Sequence, residues 1–337
     1  MPALLVSLAF FSCASSRMAA RRDEPDMDMN EEVVVIPAID RAAELVRADS
    51  ETIEKYFVAD EDGLITVKAD IREGDAEFEV RYELGDPEDS ENLRVGFSVE
   101  DRRTGERREG AFLWPIREDT AGILLAFDDD YRQAWEEHFD MFDKYGARVT
   151  YFVQGELSDF CFRALNRGHD VGYHTIHHLN LPKISEEEFY RETTSDVGSF
   201  RQAGVPLRSF AYPFGLSEPW MREALAGTFD IQRGFGATFR VYTAEAVREG
   251  YIVARSIDNI MFKEEEGFEA MIAGMFRTLK FIGGERVLPI ATHDISGEAQ
   301  WGIKPRRLEY LLKTAGSFKL KFYRYSDFVP DRRVRDQ

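Results

Sequence analysis

Four short stretches hold the residues from which a reaction centre can be assembled: "DDD" at 128–130, "HTIHH" at 174–178, "YPFG" at 212–215 and "THD" at 292–294. The second packs three of the chain's six histidines into five positions. Taken alone it is equally a surface cluster without purpose, so the rest of the chain has to decide. One carboxylate and two imidazoles make a three-ligand set with an open position, the arrangement of a catalytic rather than a structural zinc-type site. A metal there lowers the pKa of its water towards neutrality and polarises a carbonyl oxygen. A spare carboxylate beside the ligating one can take the water's proton, and a histidine from elsewhere can return a proton to a leaving group. That chemistry is metal-assisted hydrolysis of an amide or an ester.

Such residues need elements that bring them together. "GILLAF" (122–127) reads as a buried strand ending in the aspartates, and "YRQAWEEHFDMFDKYG" (131–146) as a helix stopped by Gly146. "RVTYFVQG" is a strand, "LSDFCFRALNRG" a helix closed by Gly168, and "DVGYH" a strand that ends in the histidines. Ser185 and Glu188 have capping-box spacing, and "LRSFAYPFG", "YIVARSIDN" and "RVLPIATHD" are later strands. Strands alternating with helices over this length mean a parallel sheet, open or closed into a barrel, with its chemistry at the carboxyl ends of the strands.

Upstream the period changes. "AEFEVRYEL" (76–84) and "LRVGFSV" (93–99) alternate apolar and polar residues, with turns at "GDPEDSEN" and "RRTGERR". Residues 33–115 are therefore expected to form a helix, over 38–57, plus a small antiparallel β-rich accessory domain, and 116–330 a separate catalytic domain. Residues 18–32 are charged and unpatterned, a linker.

With 44% hydrophobic residues the 337-residue chain can bury a sizeable core. Its formal net charge of -19 argues against nucleic acid and anionic membrane surfaces as partners while leaving neutral or cationic substrates open. Two cysteines, Cys13 and Cys161, make no disulfide framework. The apolar run 2–12 followed by Cys13 and small residues is similar to a lipoprotein-type signal over 1–17, with Cys13 as the lipid anchor. The lack of a basic residue ahead of it, and Phe11 where the pattern prefers Leu, weaken that likeness, and the alternative is an over-extended start with initiation at Met18; the balance favours export. The expectation is the cell envelope or secretion, or the cytoplasm if translation begins at Met18.

In order and spacing, "AFDDD", "HTIHH", "FAYPFG" and "THD" resemble the motifs of the NodB-type polysaccharide deacetylases, carbohydrate esterase family four. "ARVTYFVQG" and "NRGHDVGYHT" are similar to that family's flanking text, and the likeness covers about 118–330. The resemblance implies an α/β fold, a distorted (β/α) barrel, and removal of N- or O-linked acetyl groups from a glycan. It implies Asp128 as general base, and Asp129, His174 and His178 as ligands of one divalent metal. Zinc is the default, and cobalt or nickel suit the same donors. It implies His293 as general acid, the backbone N–H near Phe214 as an oxyanion donor, Thr175 as a support of the ligand loop, and His177 pointing elsewhere. His138 and His169 read as surface or helix-end residues and Cys161 as core.

Four positions depart from the family pattern: Asp130 for Gly, Leu179 for Pro, Ala291 for a pocket-lining Leu, and Ala211 for the arginine that pairs with the base. Arg255 is expected to replace that arginine from the strand 251–259, with Asp258 orienting His293. The alternatives are a metal-dependent amidase acting on a small cyclic amide or ureide, and an inactive glycan-binding homologue. Retention of Asp128 and His293 speaks against the last.

Overall fold

A computed structural model describes residues 57–59, 65–73, 76–87, 91–116, 120–237 and 239–329. The signal-like segment with Cys13, the start at Met18, the linker and the helical pattern of 38–56 lie outside the described residues. Among the described residues no helix is long and apolar enough to cross a membrane.

The alternating segments pair as expected. Strands β1 (Phe57–Ala59), β2 (Ile65–Glu73), β3 (Ala76–Pro87), β4 (Asn92–Asp101) and β5 (Arg107–Pro115) form one antiparallel sheet in chain order. Its register sets Val80 opposite Val99 and Tyr82 opposite Phe97, so one face is continuously apolar. The turn after β4 is closed by the Asp101 carboxylate, which accepts from Arg103 N at 2.8 Å and Thr104 N at 3.1 Å. The apolar face packs on the helix Glu265–Ile282, where the Phe281 ring lies 6.0 Å from Tyr82 and 5.0 Å from Trp114.

The remaining strands are β6 (Gly122–Asp129), β7 (Thr150–Val153), β8 (Asp170–Tyr173), β9 (Ser209–Ala211), β10 (Ile231–Phe235), β11 (Tyr242–Thr243), β12 (Tyr251–Ser256), β13 (Arg286–Thr292), β14 (Asp294–Ile295), β15 (Gly302–Ile303) and β16 (Lys321–Tyr323). Seven of them, in the order β6-β7-β8-β9-β10-β12-β13, close into a parallel barrel because β13 pairs back onto β6. The closure is irregular. The lower half of β6 pairs with β16 where its upper half pairs with β7, and β11 lies antiparallel along the start of β13. This is the distorted barrel the motifs imply.

Period-two alternation decides which side chains enter the barrel. On β6, Ile123, Leu125 and Phe127 join the outer core under the helices, whereas Leu124 and Ala126 join the inner one. Asp128 shares the parity of Leu124 and Ala126. The inner core is narrow and built of small side chains (Ala126, Ala211, Ala254, Ala291), with Tyr325 and Phe328 among its members.

Two local readings change. The helix 131–146 is two short helices, Arg132–Glu137 and Phe139–Lys144, broken at His138. Trp135, Phe139 and Phe142 still share the buried stripe. Ser185 Oγ accepts from Glu188 N at 3.2 Å, which caps the helix Glu186–Thr194, while the Glu188 carboxylate turns to Arg191 instead of closing a box.

His169 is a correction too: it ends a helix but is buried, ringed by Phe139, Phe142 and Tyr151, with Nδ1 accepting from Val149 N. Burial, helped by the nearby Arg148 charge, holds its pKa down at about 4. The unfolded chain titrates this group near 6.5, so the stability His169 contributes is present above that pH and is lost as pH falls towards 4. The loss is about 2 kcal/mol at pH 5 and about 3 kcal/mol once titration is complete. His169→Phe, compared with wild type by urea unfolding at pH 7 and pH 5, is expected to shrink that acid-induced drop. Equal drops in both proteins would remove His169 as its source.

Candidate active site

Two strand ends, those of β6 and β8, deliver the aspartate and the two histidines to one point. Asp129 Oδ1 lies 3.3 Å from His174 Nε2 and 3.4 Å from His178 Nε2. Asp129 takes the left-handed conformation, φ 82°, which turns its side chain to the mouth although its strand parity points outward. Thr175 (φ 68°) and His178 (φ 54°) are left-handed as well, so the histidine loop is tightly wound. Side-chain oxygens brace its backbone: Thr175 Oγ1 accepts from His178 N at 3.0 Å, and Glu192 Oε2 accepts from His177 N at 2.8 Å. His177 turns away, its Nδ1 2.7 Å from Glu192 Oε1.

The protons in this cluster bear on what it can hold. His174 Nδ1 lies 2.8 Å from Ala211 O, an acceptor, so Nδ1 carries the proton and Nε2 presents a lone pair. That lone pair faces Asp129 Oδ1, itself buried without a hydrogen-bond donor. Electron-rich atoms facing each other at this distance repel unless a cation or a proton sits between them. The donor set, one carboxylate oxygen and two imidazole nitrogens all within 4.8 Å, fits one divalent metal of the zinc kind with an open position.

Beside it, inside the barrel, lies Asp128, fully buried, its Oδ2 accepting from Arg233 Nη2 at 2.5 Å. Arg233 is the residue that sequence reasoning missed. It lies on β10 directly opposite Ala211 in the parallel register, so the guanidinium comes from the strand next to the one expected. It is fully buried, its head 4.3 Å from the Phe235 ring centre and 5.2 Å from that of Phe152. Arg255 does not take this place. On β12, Ile252 and Ala254 fill the inner core, so Arg255 takes the opposite face, where Nη1 donates to Ala237 O and the head lies 5.6 Å from the Phe239 ring.

Asp258 follows β12, and its carboxylate accepts from three side chains. Ser256 Oγ donates at 2.6 Å, Thr292 Oγ1 at 2.7 Å, and His293 Nδ1 lies 3.0 Å from each carboxylate oxygen. The carboxylate thereby fixes the His293 proton on Nδ1 or on both nitrogens and orients the ring. Burial would lower the His293 pKa, but hydrogen bonding and charge from Asp258, then Asp128 and Asp129, raise it to about 9. The ring is therefore protonated at neutral pH, the state a proton donor needs.

"YPFG" supplies the last wall. Phe214 has φ 57° and stands 56% exposed, with its ring 4.6 Å from that of His178. Gly215 is required here: a Cβ would lie 2.4 Å from Phe235 N. Asp130 pairs with Arg132 at 2.5 Å and is exposed.

Residues 117–228 match the family model described as polysaccharide deacetylase. The peptidoglycan-N-acetylglucosamine deacetylase of Bacillus cereus is 27% identical over 138 residues, 37% of this chain and 49% of that protein. The chain thus spans about half the length of this curated relative. Among solved structures, the peptidoglycan deacetylase PdaC of Bacillus subtilis aligns at 16% identity and TM-score 0.43, over 66% of this chain and 94% of that one. The chitin deacetylase of Colletotrichum lindemuthianum aligns at 16% identity and TM-score 0.42, over 63% and 89%. The residues matched by the family model span Asp128, Asp129, His174, His178 and "YPFG", and over this stretch the chain is similar to the polysaccharide deacetylases.

Proposed function

We propose that the protein is a metal-dependent hydrolase that removes acetyl groups, N- or O-linked, from a glycan. The observation that carries this reading is the Asp129–His174–His178 cluster standing beside two separately braced proton carriers, Asp128 on Arg233 and His293 on Asp258. A binding protein needs neither carrier.

Asp129, His174 and His178 would hold one divalent cation, zinc by the nature of the donors. When bound, such an ion lowers the pKa of a water molecule and polarises the acetyl carbonyl. Asp128 Oδ1 has no partner inside the barrel and takes the proton of the attacking water, while Oδ2 stays on Arg233. Water oxygen adds to the acetyl carbon, and the Phe214 N–H donates to the oxygen that gains charge. His293 then delivers its proton to the departing amine or alcohol, the C–N or C–O bond breaks, and acetate leaves. The imidazole recovers a proton with Asp258 still on Nδ1.

Purified protein stripped with a chelator is expected to lose acetate release from an acetylated glycan and to regain it with one equivalent of zinc. Activity undiminished by stripping would end the metal-dependent reading. Elemental analysis checks the ligands independently: His178→Ala is expected to lose stoichiometric metal and His177→Ala to keep it. The reverse pattern would mean the ligand assignment is wrong.

A further inference from the structure

The parallel register between β6 and β13 ends with Phe127 opposite Thr292. The next residue on each chain is a proton carrier, Asp128 after Phe127 and His293 after Thr292. From there the chains part. Asp128 runs on beside Phe152 of β7, while β13 stops and β14 begins at Asp294. The ladder therefore brings base and acid together without pairing them, and their relative placement rests on side chains. Arg233 holds the Asp128 carboxylate, and Asp258 holds the His293 ring. The His293 main chain has a brace of its own: Trp135 Nε1 donates to the His293 carbonyl at 2.8 Å.

Trp135 can serve as a fixed point because its indole has no room to turn. It is fully buried in the outer core under the helices. The ring stacks on Tyr151 at 5.1 Å and 26°, with Phe160 at 5.7 Å and both Phe127 and Tyr131 at 6.4 Å. Its backbone is held as well, Trp135 N donating to Tyr131 O at 3.0 Å at the start of the helix Arg132–Glu137. Phe127 immediately precedes Asp128, so one indole packs on the strand of the base and bonds to the main chain of the acid. Asp258 alone fixes Nδ1 of His293, and the imidazole could still swing about that atom as its backbone moves. A second fixed point, at the carbonyl, removes that freedom and sets where Nε2 stands. Proton transfer depends on such placement, since a shift of about 1 Å can cost about a hundredfold in rate.

We propose that Trp135 is a positioning residue for the general acid: by holding the His293 carbonyl it keeps Nε2 at the leaving group, at a set reach from the Asp128 carboxylate. The inference rests on the deacetylase reading above. A buried indole N–H needs a partner in any core, so packing alone would also account for the bond. The two accounts differ in what removing the N–H does. Packing predicts a loss of stability only, whereas positioning predicts a loss of rate confined to leaving groups that need a proton.

The test replaces Trp135 with β-(3-benzothienyl)alanine, which keeps the shape of the ring and puts sulfur where Nε1–H was; Trp135→Phe is the companion variant. Zinc-loaded full-length protein is assayed on the β-1,4-linked tetramer of N-acetylglucosamine or an acetylated xylo-oligosaccharide, whichever the wild type cleaves faster. The comparison substrate is p-nitrophenyl acetate, whose nitrophenolate departs without a proton. Both variants are expected to keep metal and KM while kcat on the sugar substrate falls about tenfold. On the aryl acetate kcat should fall less than about twofold. Phe160→Leu disturbs the same aromatic cluster but spares the N–H, and is expected to lower the urea midpoint without changing the ratio of the two rates. An isostere with wild-type kcat on the sugar, an equal loss on both substrates, or the same split in Phe160→Leu overturns the positioning role and leaves the deacetylase reading standing. Wild type that releases acetate from no sugar substrate overturns both.

Discussion

Arg233→Ala is expected to lose about 3–5 kcal/mol of stability and about a hundredfold or more in deacetylation. Both effects have one cause. Asp128 and Arg233 are each fully buried in an inner core of alanines and aromatic rings, and removing the cation leaves a carboxylate with no compensating charge. Breaking one partner of a buried pair costs far more than the pair's net worth. A structural role alone would predict the stability loss but not a specific rescue. Ala211 is the register partner of Arg233, so Arg233→Ala combined with Ala211→Arg moves the guanidinium one strand sideways and points it at the same carboxylate. The double variant is expected to recover at least tenfold in kcat over Arg233→Ala, a gain of about 1.4 kcal/mol in transition-state stabilisation. Recovery of stability without recovery of rate would confine Arg233 to packing.

His293→Ala should separate substrates by their leaving groups. An amine cannot depart as its anion at neutral pH, so acetamide cleavage without the imidazolium is expected to fall about 10²–10⁴-fold. A nitrophenolate leaves without a proton, and hydrolysis of the aryl acetate should fall less than tenfold. Metal content should be unchanged, because the His293 side chain bonds to Asp258 and stands outside the Asp129–His174–His178 cluster. An equal loss on amide and aryl ester would show that His293 does something other than protonate the leaving group. Asp258→Asn removes the charge that keeps the ring protonated, and is expected to move the basic limb of the pH–rate profile to lower pH.

The strand ends were legible because their signals are local. "GILLAFDDD" and "RVLPIATHD" are apolar runs that stop at acids and histidines, and a parallel sheet gathers such ends at one mouth. The guanidinium was not legible for two reasons. Arg255 precedes the Asp258 that does reach His293, and only the parity of Ile252 and Ala254 against the inner core sends it outward. Arg233 sits in mid-strand in "DIQRGF", where a charge argues against a buried strand unless its partner is known. The alternation of Ile231, Arg233 and Phe235 was the available signal. Glu192, which braces the histidine loop, stands in "EEEFYRETT" among acids that face solvent. Nothing in that run distinguishes it before the loop and the helix are packed together. His169 was misread because one buried imidazole among aromatic rings has the same sequence context as one at an exposed helix end.

The central claim is that Asp128 moves the proton while Asp129, its neighbour in sequence, holds the metal. The most direct measurement is acetate release by Asp128→Asn, with metal content determined on the same sample. The isosteric amide keeps the shape of the site and can still meet Arg233 through its oxygen, but it cannot accept the proton of the attacking water. The account predicts one equivalent of metal and a rate on an acetylated glycan at least a hundredfold below wild type. A variant that keeps its metal and deacetylates at near the wild-type rate would contradict it.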